Sequence, residues 1–440
     1  MSRSVAESVE ASLLRADEVQ RDLNPFVCLW PDEARSRAAV LDRLPEHERG
    51  PLHGATVAIK DTTPWTGHRL TLGSRTHEHN IATTTAWVVE RLLDAGAVII
   101  GSTNTPEFAH SSFTDNPLWG PTRNPWNRER SSGGSSGGGA VAVATGCVDL
   151  ADGTDMGGSV RIPAAWCGVV GLKPSLGRIP MDSLPGLWDT LSHHGPIART
   201  VDDAWRYLLA VQGPSLRDPY SVHTPLQGNL YDHISGVRIA LSIDLGCWAV
   251  DPEIEASVRY AADRLRARGA FVTEVDPGFT PRHEWLWIEM WGIFMAGYFG
   301  HLVDDRRDEL DPDVVALIEL GRSKSAVDSR HLDIERSAFW KQVTAILDHH
   351  DMIMCPTMAT APFNAAKSDY MAPNSADGRH HSHDMTTVWN LASPCPAISV
   401  PAGRHGDHDP ASVNVGLPIG AQLVGRPGME QLLLSVARCI

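Results

Sequence analysis

The sequence predicts an α/β fold, and three observations carry that prediction. An apolar run, Ala55–Ile59, is followed by a helical pattern from about Thr84 to Asp94 and at once by a second apolar run, Ala97–Ile100. The order recurs later, with a strand at Arg238–Ile243, a helix opening at Asp251 and a strand at Phe271–Thr273. With 440 residues and 42% hydrophobic content, the chain is long enough for one large α/β domain or two ordinary ones, since single cores stop growing at roughly 250–300 residues. Strand, helix and strand in so short a span read as a crossover unit, so a largely parallel sheet with helices packed on it is expected.

Taken in order, residues 5–45 read as polar amphipathic helices. The Ala55–Ile59 strand delivers Lys60 at its C-terminal end. The next helix puts Trp87, Val88, Val89 and Leu92 on its buried side and stops at Gly96, a C-terminal capping glycine. Ala140–Cys147 reads as a small-residue helix suited to close packing on a sheet. Asp251 is placed as an N-cap with Pro252 at the first helical position; Ile254, Val258, Ala261 and Leu265 share one face, and Gly269 ends the helix. Residues 280–350 read as mostly helical and rich in tryptophan. The apolar stretch Trp285–Phe299 contains Glu289 and falls short of the roughly 20 apolar residues of a membrane span, so it reads as a buried helix.

Composition excludes several classes of function. A formal net charge of -15 offers no basic face for a phosphate backbone, which sets nucleic acid aside. The N-terminus has no apolar signal core, and Glu10 and Asp17 argue against a transit peptide, so a cytoplasmic protein is expected. Seven scattered cysteines suggest neither a disulfide framework nor a zinc knuckle.

Two glycine- and serine-rich segments carry the chemistry. Gly133-Gly134-Ser135-Ser136-Gly137-Gly138-Gly139 reads as a flexible linker, a phosphate loop or an active-site turn. The linker reading suffers from the apolar segments on either side, and the phosphate loop lacks its terminal Gly-Lys-Ser/Thr. The run also matches Gly-x-Ser-x-Gly, the nucleophile elbow of α/β-hydrolases, which would make Ser135 the nucleophile. The second segment, Met156-Gly157-Gly158-Ser159, is either a structural turn or a loop whose N–H groups converge on a tetrahedral oxyanion. Asp155 and Arg161 are spaced to form an ion pair bracing that loop.

These segments resemble the amidase signature family of serine hydrolases. Gly133–Gly139 is similar to the family's Gly-Gly-Ser-Ser-Gly-Gly stretch, and Gly153–Ala164 to its Gly-Thr-Asp-x-Gly-Gly-Ser-x-Arg-x-Pro-Ala core. Separations of 75 residues from Lys60 to Ser135 and 24 from Ser135 to Ser159 fit the family pattern. Ser102–Ala109, Gly195–Thr200, Ser393–Ala397 and Gly416–Gln422 resemble further family segments, as do Glu430 and the Leu432–Leu434 helix.

The resemblance implies one domain over residues 1–440, with a mixed central β-sheet covered on both faces by helices. Its catalytic core falls at about 51–210 and 350–440, with a variable helical substrate-side region at about 280–350. It implies Ser159 as nucleophile, Ser135 as a proton shuttle at a cis peptide after Gly134, and Lys60 as base. The N–H groups of Met156, Gly157, Gly158 and Ser159 form the oxyanion hole, while Gly134, Ser136, Asp155 and Arg161 support the site and Phe108 and Ala109 contact substrate. Lys60 must be neutral to act, which burial favours. No metal or cofactor is implied, and the expected partner is a small-molecule amide or carbamate, on a monomer or homodimer free of membrane and nucleic acid.

The activity implied is hydrolysis of C–N bonds in linear amides, the family also including enzymes that open aryl amides, carbamates (urethanes) and esters. The alternatives are the glutamine-hydrolysing component of a tRNA-dependent amidotransferase and a catalytically silent binding protein. The first typically has glutamine after the motif arginine, where this chain has Ile162; the second conflicts with three intact catalytic positions. The chain stops at Ile440, earlier than the family pattern, so a missing C-terminal segment is expected. Outside the motifs, Gly378–Asp384 reads as a solvated surface segment and His193-His194 as a polar loop, while Trp285, Trp287 and Trp291 are divided between core packing and a substrate wall.

Overall fold

In chain order, the computed structural model runs from helix α1 (Val5–Leu23) through strand β1 (Phe26–Leu29), α2 (Pro31–Leu41), β2 (Thr56–Lys60), α3 (Trp87–Asp94), β3 (Val98–Thr103), α4 (Gly137–Ala144) and β4 (Leu150–Asp155) to α5 (Arg161–Cys167). There follow β5 (Val170–Lys173), β6 (His193–Ala198), α6 (Val201–Val211), β7 (Arg238–Leu241), α7 (Pro252–Ala267) and β8 (Phe271–Glu274). The long helices α8 (Pro281–Arg306), α9 (Pro312–Arg322) and α10 (Ala326–Leu347) come next, then β9 (Met352–Pro356), α11 (Val388–Leu391), β10 (Ala397–Arg404), β11 (Pro418–Gly425) and α12 (Glu430–Ala437). The structure describes residues 3–365 and 379–440.

The strands form one sheet in the order β1-β3-β2-β4-β6-β5-β10-β11-β9-β7-β8. It is mixed. The crossover through α3 makes β2 and β3 parallel, and β7 runs parallel to both β8 and β9. The expectation of a largely parallel sheet is overturned, because six of the ten neighbouring pairs are antiparallel. A parallel pair needs a crossover of a dozen or more residues, usually a helix. The link from β10 to β11 contains no helix, so that pair folds back as an antiparallel hairpin.

Side-chain alternation along each strand separates the layers. On β2, Val57 and Ile59 enter the core formed with α3, α6, α7 and α12, whereas Ala58 enters the one formed with α1, α2, α4 and α5. On β7, Ile239 and Leu241 join the first core, and Ala240 joins the core under α8, α9 and α10. Lys60 stands two residues beyond Ala58, which puts it on the face that α4 covers. That helix packs closely because its glycines leave room: a Cβ on Gly138 would lie 2.4 Å from Pro25 O and 2.5 Å from Asn104 N.

Several boundaries differ from the sequence reading. The four-residue strand β1 interrupts the predicted N-terminal helices, α3 begins at Trp87, and α4 begins inside the glycine run at Gly137. His193 and His194 lie buried in β6, paired with β4, so the loop reading is corrected. The Asp251 cap holds, its side chain accepting the Glu253 N–H. Trp285–Phe299 falls within α8, which buries Leu286, Trp287, Trp291 and Met295 but leaves Trp285 38% exposed. Among the described residues, no helix is long and apolar enough to cross a membrane.

Candidate active site

The end of β2 brings Lys60 into a fully buried position, where its Nζ lies 2.6 Å from Ser135 Oγ and 2.9 Å from Thr154 Oγ1. Burial disfavours the ammonium and lowers the pKa of Lys60 to about 7, against the pull of the Asp152 and Asp155 carboxylates. Lys173, at the end of β5, is also buried and lowered to about 7 by burial and the Arg161 guanidinium. Its Nζ, however, donates to the backbone carbonyls of Pro174, Ser393 and Cys395 and to no hydroxyl among the described residues. Of the two amines, only that of Lys60 meets side-chain hydroxyls among the described residues.

The turn before α4 carries Ser135. Gly133 takes a φ of 78° and the Gly134–Ser135 peptide is cis. Gly134 has no space for a side chain, because a Cβ there would fall 2.7 Å from Ser111 O and 2.8 Å from Phe113 N. Thr114 Oγ1 donates to Gly133 O at 2.8 Å, and the Ser136 N–H donates to Ser159 O at 3.1 Å, tying this turn to the next.

The loop after β4 carries Ser159, and Asp155 organises it. One carboxylate oxygen accepts the Gly158 N–H at 2.9 Å and the other the Val160 N–H at 3.2 Å. Arg161 closes a bidentate pair on the same carboxylate at 2.8 and 2.9 Å, with both side chains fully buried. Burial works against ionisation of Asp155, but the Arg161 guanidinium and the Asn390 amide outweigh it and hold the carboxyl well below the usual range. The remaining guanidinium N–H groups reach Gln422 Oε1 at 2.6 Å and Asn390 Oδ1 at 2.5 Å. The predicted ion pair is therefore present at the centre of a satisfied buried network.

Of the four N–H groups expected in the oxyanion hole, that of Gly158 is taken by Asp155. Those of Met156, Gly157 and Ser159 donate to no protein acceptor among the described residues. Ser135, Ser159, Met156 and Gly157 all line one cavity of about 800 Å³. Phe108 and Ala109 line it too, both at positive φ (50° and 58°), with Phe108 stacked on Phe299 at 4.0 Å. Trp285, Trp287 and Trp291 form a further wall, so the aromatic stripe of α8 serves cavity and core together.

Gly378 lies outside the described residues, and Arg379 and His381 are exposed as the surface reading expects, but the other four residues of the tract correct it. His380, Ser382, His383 and Asp384 line the cavity, and the last three are buried. His383 Nε2 shares a hydrogen bond of 2.6 Å with Ser112 Oγ, and Glu284 of α8 accepts from Ser382 and His380, each at 2.5 Å. Thr154, Asn390 and Thr386 also shape the site without standing out as site residues in the sequence; of these, only Thr154 lies inside a recognised motif.

The buried lysine, the two linked turns and the length of the match agree with comparison to known proteins: a model of the family described as Amidase matches residues 7–434. The chain belongs to the amidase signature family. An acylamidase of Rhodococcus erythropolis is 36% identical over 442 residues, covering 98% of this chain and 90% of the relative. The A component of the glutamyl-tRNA(Gln) amidotransferase of Synechococcus sp. (strain RCC307) is 33% identical over 467 residues, covering 99% of this chain and 93% of that protein. The crystal structure of a bacterial aryl acylamidase of the amidase signature enzymes superposes with a TM-score of 0.91 at 29% identity, covering 99% of this chain and 92% of that one. This amidase signature hydrolase acts on amides.

Proposed function

We propose that the enzyme is an acylamidase that hydrolyses neutral linear amides with a bulky, aromatic portion, aryl amides foremost, through an ester on Ser159. The observation that carries the reading is the buried Lys60 amine 2.6 Å from Ser135 Oγ, with Ser135 and Ser159 on one cavity wall. Neutral Lys60 takes the Ser135 hydroxyl proton as Ser135 takes that of Ser159, and Ser159 Oγ adds to the amide carbonyl. The N–H groups of Met156, Gly157 and Ser159 receive the oxyanion, in the manner that makes such donors worth roughly 2.7–4 kcal/mol each. Collapse breaks the C–N bond, and the leaving nitrogen gains, through Ser135, the proton that Lys60 took up. Water then adds to the ester by the same relay, releasing the acid and restoring the Ser159 hydroxyl.

The substrate preference rests on the cavity walls. Leu72, Phe108, Trp287, Trp291, Phe294 and Phe299 offer an apolar surface, and a cavity of about 800 Å³ is roomy enough for a ring on either side of the scissile bond. A turnover panel of anilides, aliphatic amides, carbamates and esters tests this. Burial of a Phe-sized group is worth roughly 1.5–3 kcal/mol, so anilides should exceed acetamide by about 10- to 100-fold in kcat/KM, with aryl carbamates and esters turned over as side activities. Equal rates on all, or none on any, would sink the substrate reading.

Similarity to the amidotransferase component favours a second reading, a glutamine-hydrolysing member of a larger complex. Apolar walls suit the glutamine side chain poorly, and Ile162 follows the motif arginine. Glutaminase activity that appears only with copurified partner proteins would favour it over the first.

A further inference from the structure

We propose that Trp287, on α8, is a positioning residue for catalysis: its indole N–H fixes the peptide that aims the Gly157 N–H at the oxyanion. The proposal rests on the reading of Ser159 as nucleophile.

Trp287 Nε1 donates to Met156 O at 2.8 Å, reaching across 131 residues of sequence. In a trans peptide the C=O and the following N–H point in opposite directions. Holding Met156 O therefore sets the direction of the Gly157 N–H, one of the donors without a protein acceptor among the described residues. The next peptide is held in the same way. Thr386 Oγ1 donates to Gly157 O at 2.7 Å, and the Gly158 N–H goes to Asp155 at 2.9 Å. Two successive peptides of the loop are thus pinned from outside it, the first by the substrate-side helix.

Contact as well as hydrogen bonding holds the loop. A Cβ on Gly157 would lie 2.3 Å from Trp287 Cζ2, so the ring covers the glycine with no slack. Trp287 is only 5% exposed and packs on Trp291 at a centroid distance of 4.7 Å. The same ring also lines the cavity. A residue serving only as a wall would raise KM when trimmed. A residue that aims a donor acts on the transition state and lowers kcat instead.

The test replaces Trp287 with Phe, which keeps an aromatic wall and removes the N–H. A parallel variant carries 3-benzothienylalanine at 287, which keeps the bicyclic shape without the donor and guards against misfolding of Trp287→Phe. Each is assayed with an anilide, and each is titrated with an aryl trifluoromethyl ketone, whose serine adduct bears the oxyanion. Misplacing a donor by about 1 Å costs on the order of 10²-fold, so kcat should fall about 10- to 100-fold with KM within about threefold, and the ketone should weaken in step. The proposal is overturned if kcat and ketone affinity stay within about twofold, if KM alone rises, or if kcat falls while the ketone binds as before. Turnover surviving in Ser159→Ala would instead remove the reading beneath the proposal, so the two failures are told apart.

Discussion

The lowered pKa of Lys60 makes the pH dependence of kcat/KM a quantitative test of the relay. With a pKa of about 7, Lys60 passes from about a tenth neutral at pH 6 to about nine-tenths neutral at pH 8. Activity should therefore rise about tenfold between those values and level off above pH 8. A lysine at the ordinary value of about 10.4 would give about a hundredfold rise over the same interval, with no plateau below pH 10. Lys173 also falls near 7, so the limb must be assigned by perturbation. Asp152 raises the pKa of Lys60, whereas the charged neighbours of Lys173 are Arg161, Asp155 and Glu430. Asp152→Asn removes the charge; Tyr207 and Thr63 donate to different oxygens of this carboxylate at 2.8 Å, so the amide oxygen keeps the bond from Tyr207 while the amide N–H donates to the Thr63 hydroxyl. The limb should then move to lower pH. The assay is kcat/KM for an anilide from pH 5.5 to 9.5 in both proteins; an unbroken rise through pH 9, or a limb that Asp152→Asn leaves in place, refutes the assignment.

Two further outcomes follow from the same buried charges. Because the folded pKa of Lys60 lies below its unfolded value, the unfolded chain binds the extra proton between about pH 7 and 10.5; this contribution to stability rises with pH across that window and is flat below it. Lys60→Met should thus be more stable than the parent at pH 7, by on the order of 4 kcal/mol before its two lost hydrogen bonds are subtracted, and denaturant titrations should show the gap narrowing toward pH 10. Arg161→Met leaves Asp155 buried and unpaired, which should cost about 3–5 kcal/mol in unfolding free energy and abolish turnover; Arg161→Lys should not restore it, since an ammonium lacks the planar fork that holds both carboxylate oxygens.

The features legible in the sequence are those set locally. An apolar run ending in Lys60, glycines flanking Ser135 and Ser159, and an Asp and Arg six residues apart declare a strand end, two tight turns and an ion pair, and all are present. Family resemblance, rather than periodicity, points to the mixed sheet. What the sequence hides depends on partners far along the chain. Phe26–Leu29 is too short to show a period, and it becomes a strand only by pairing with Gly101–Thr103. His193 and His194 look polar in sequence, yet His194 Nδ1 meets Asp152 at 3.2 Å inside the sheet layer. The 380–384 tract has the composition of a loop and is drawn into the cavity wall by Glu284 and Ser112. The bonds from Arg161 to Gln422 and from Trp287 to Met156 span 261 and 131 residues, a distance over which no local pattern reports.

The central claim is that Ser159, and not the Ser135 of the glycine run, carries the acyl group. The most direct measurement is reaction with a fluorophosphonate followed by peptide mapping by mass spectrometry, in the parent and in Ser159→Ala. The account predicts stoichiometric label on Ser159 and none in the variant. Label on Ser135, or label persisting in Ser159→Ala, would contradict it.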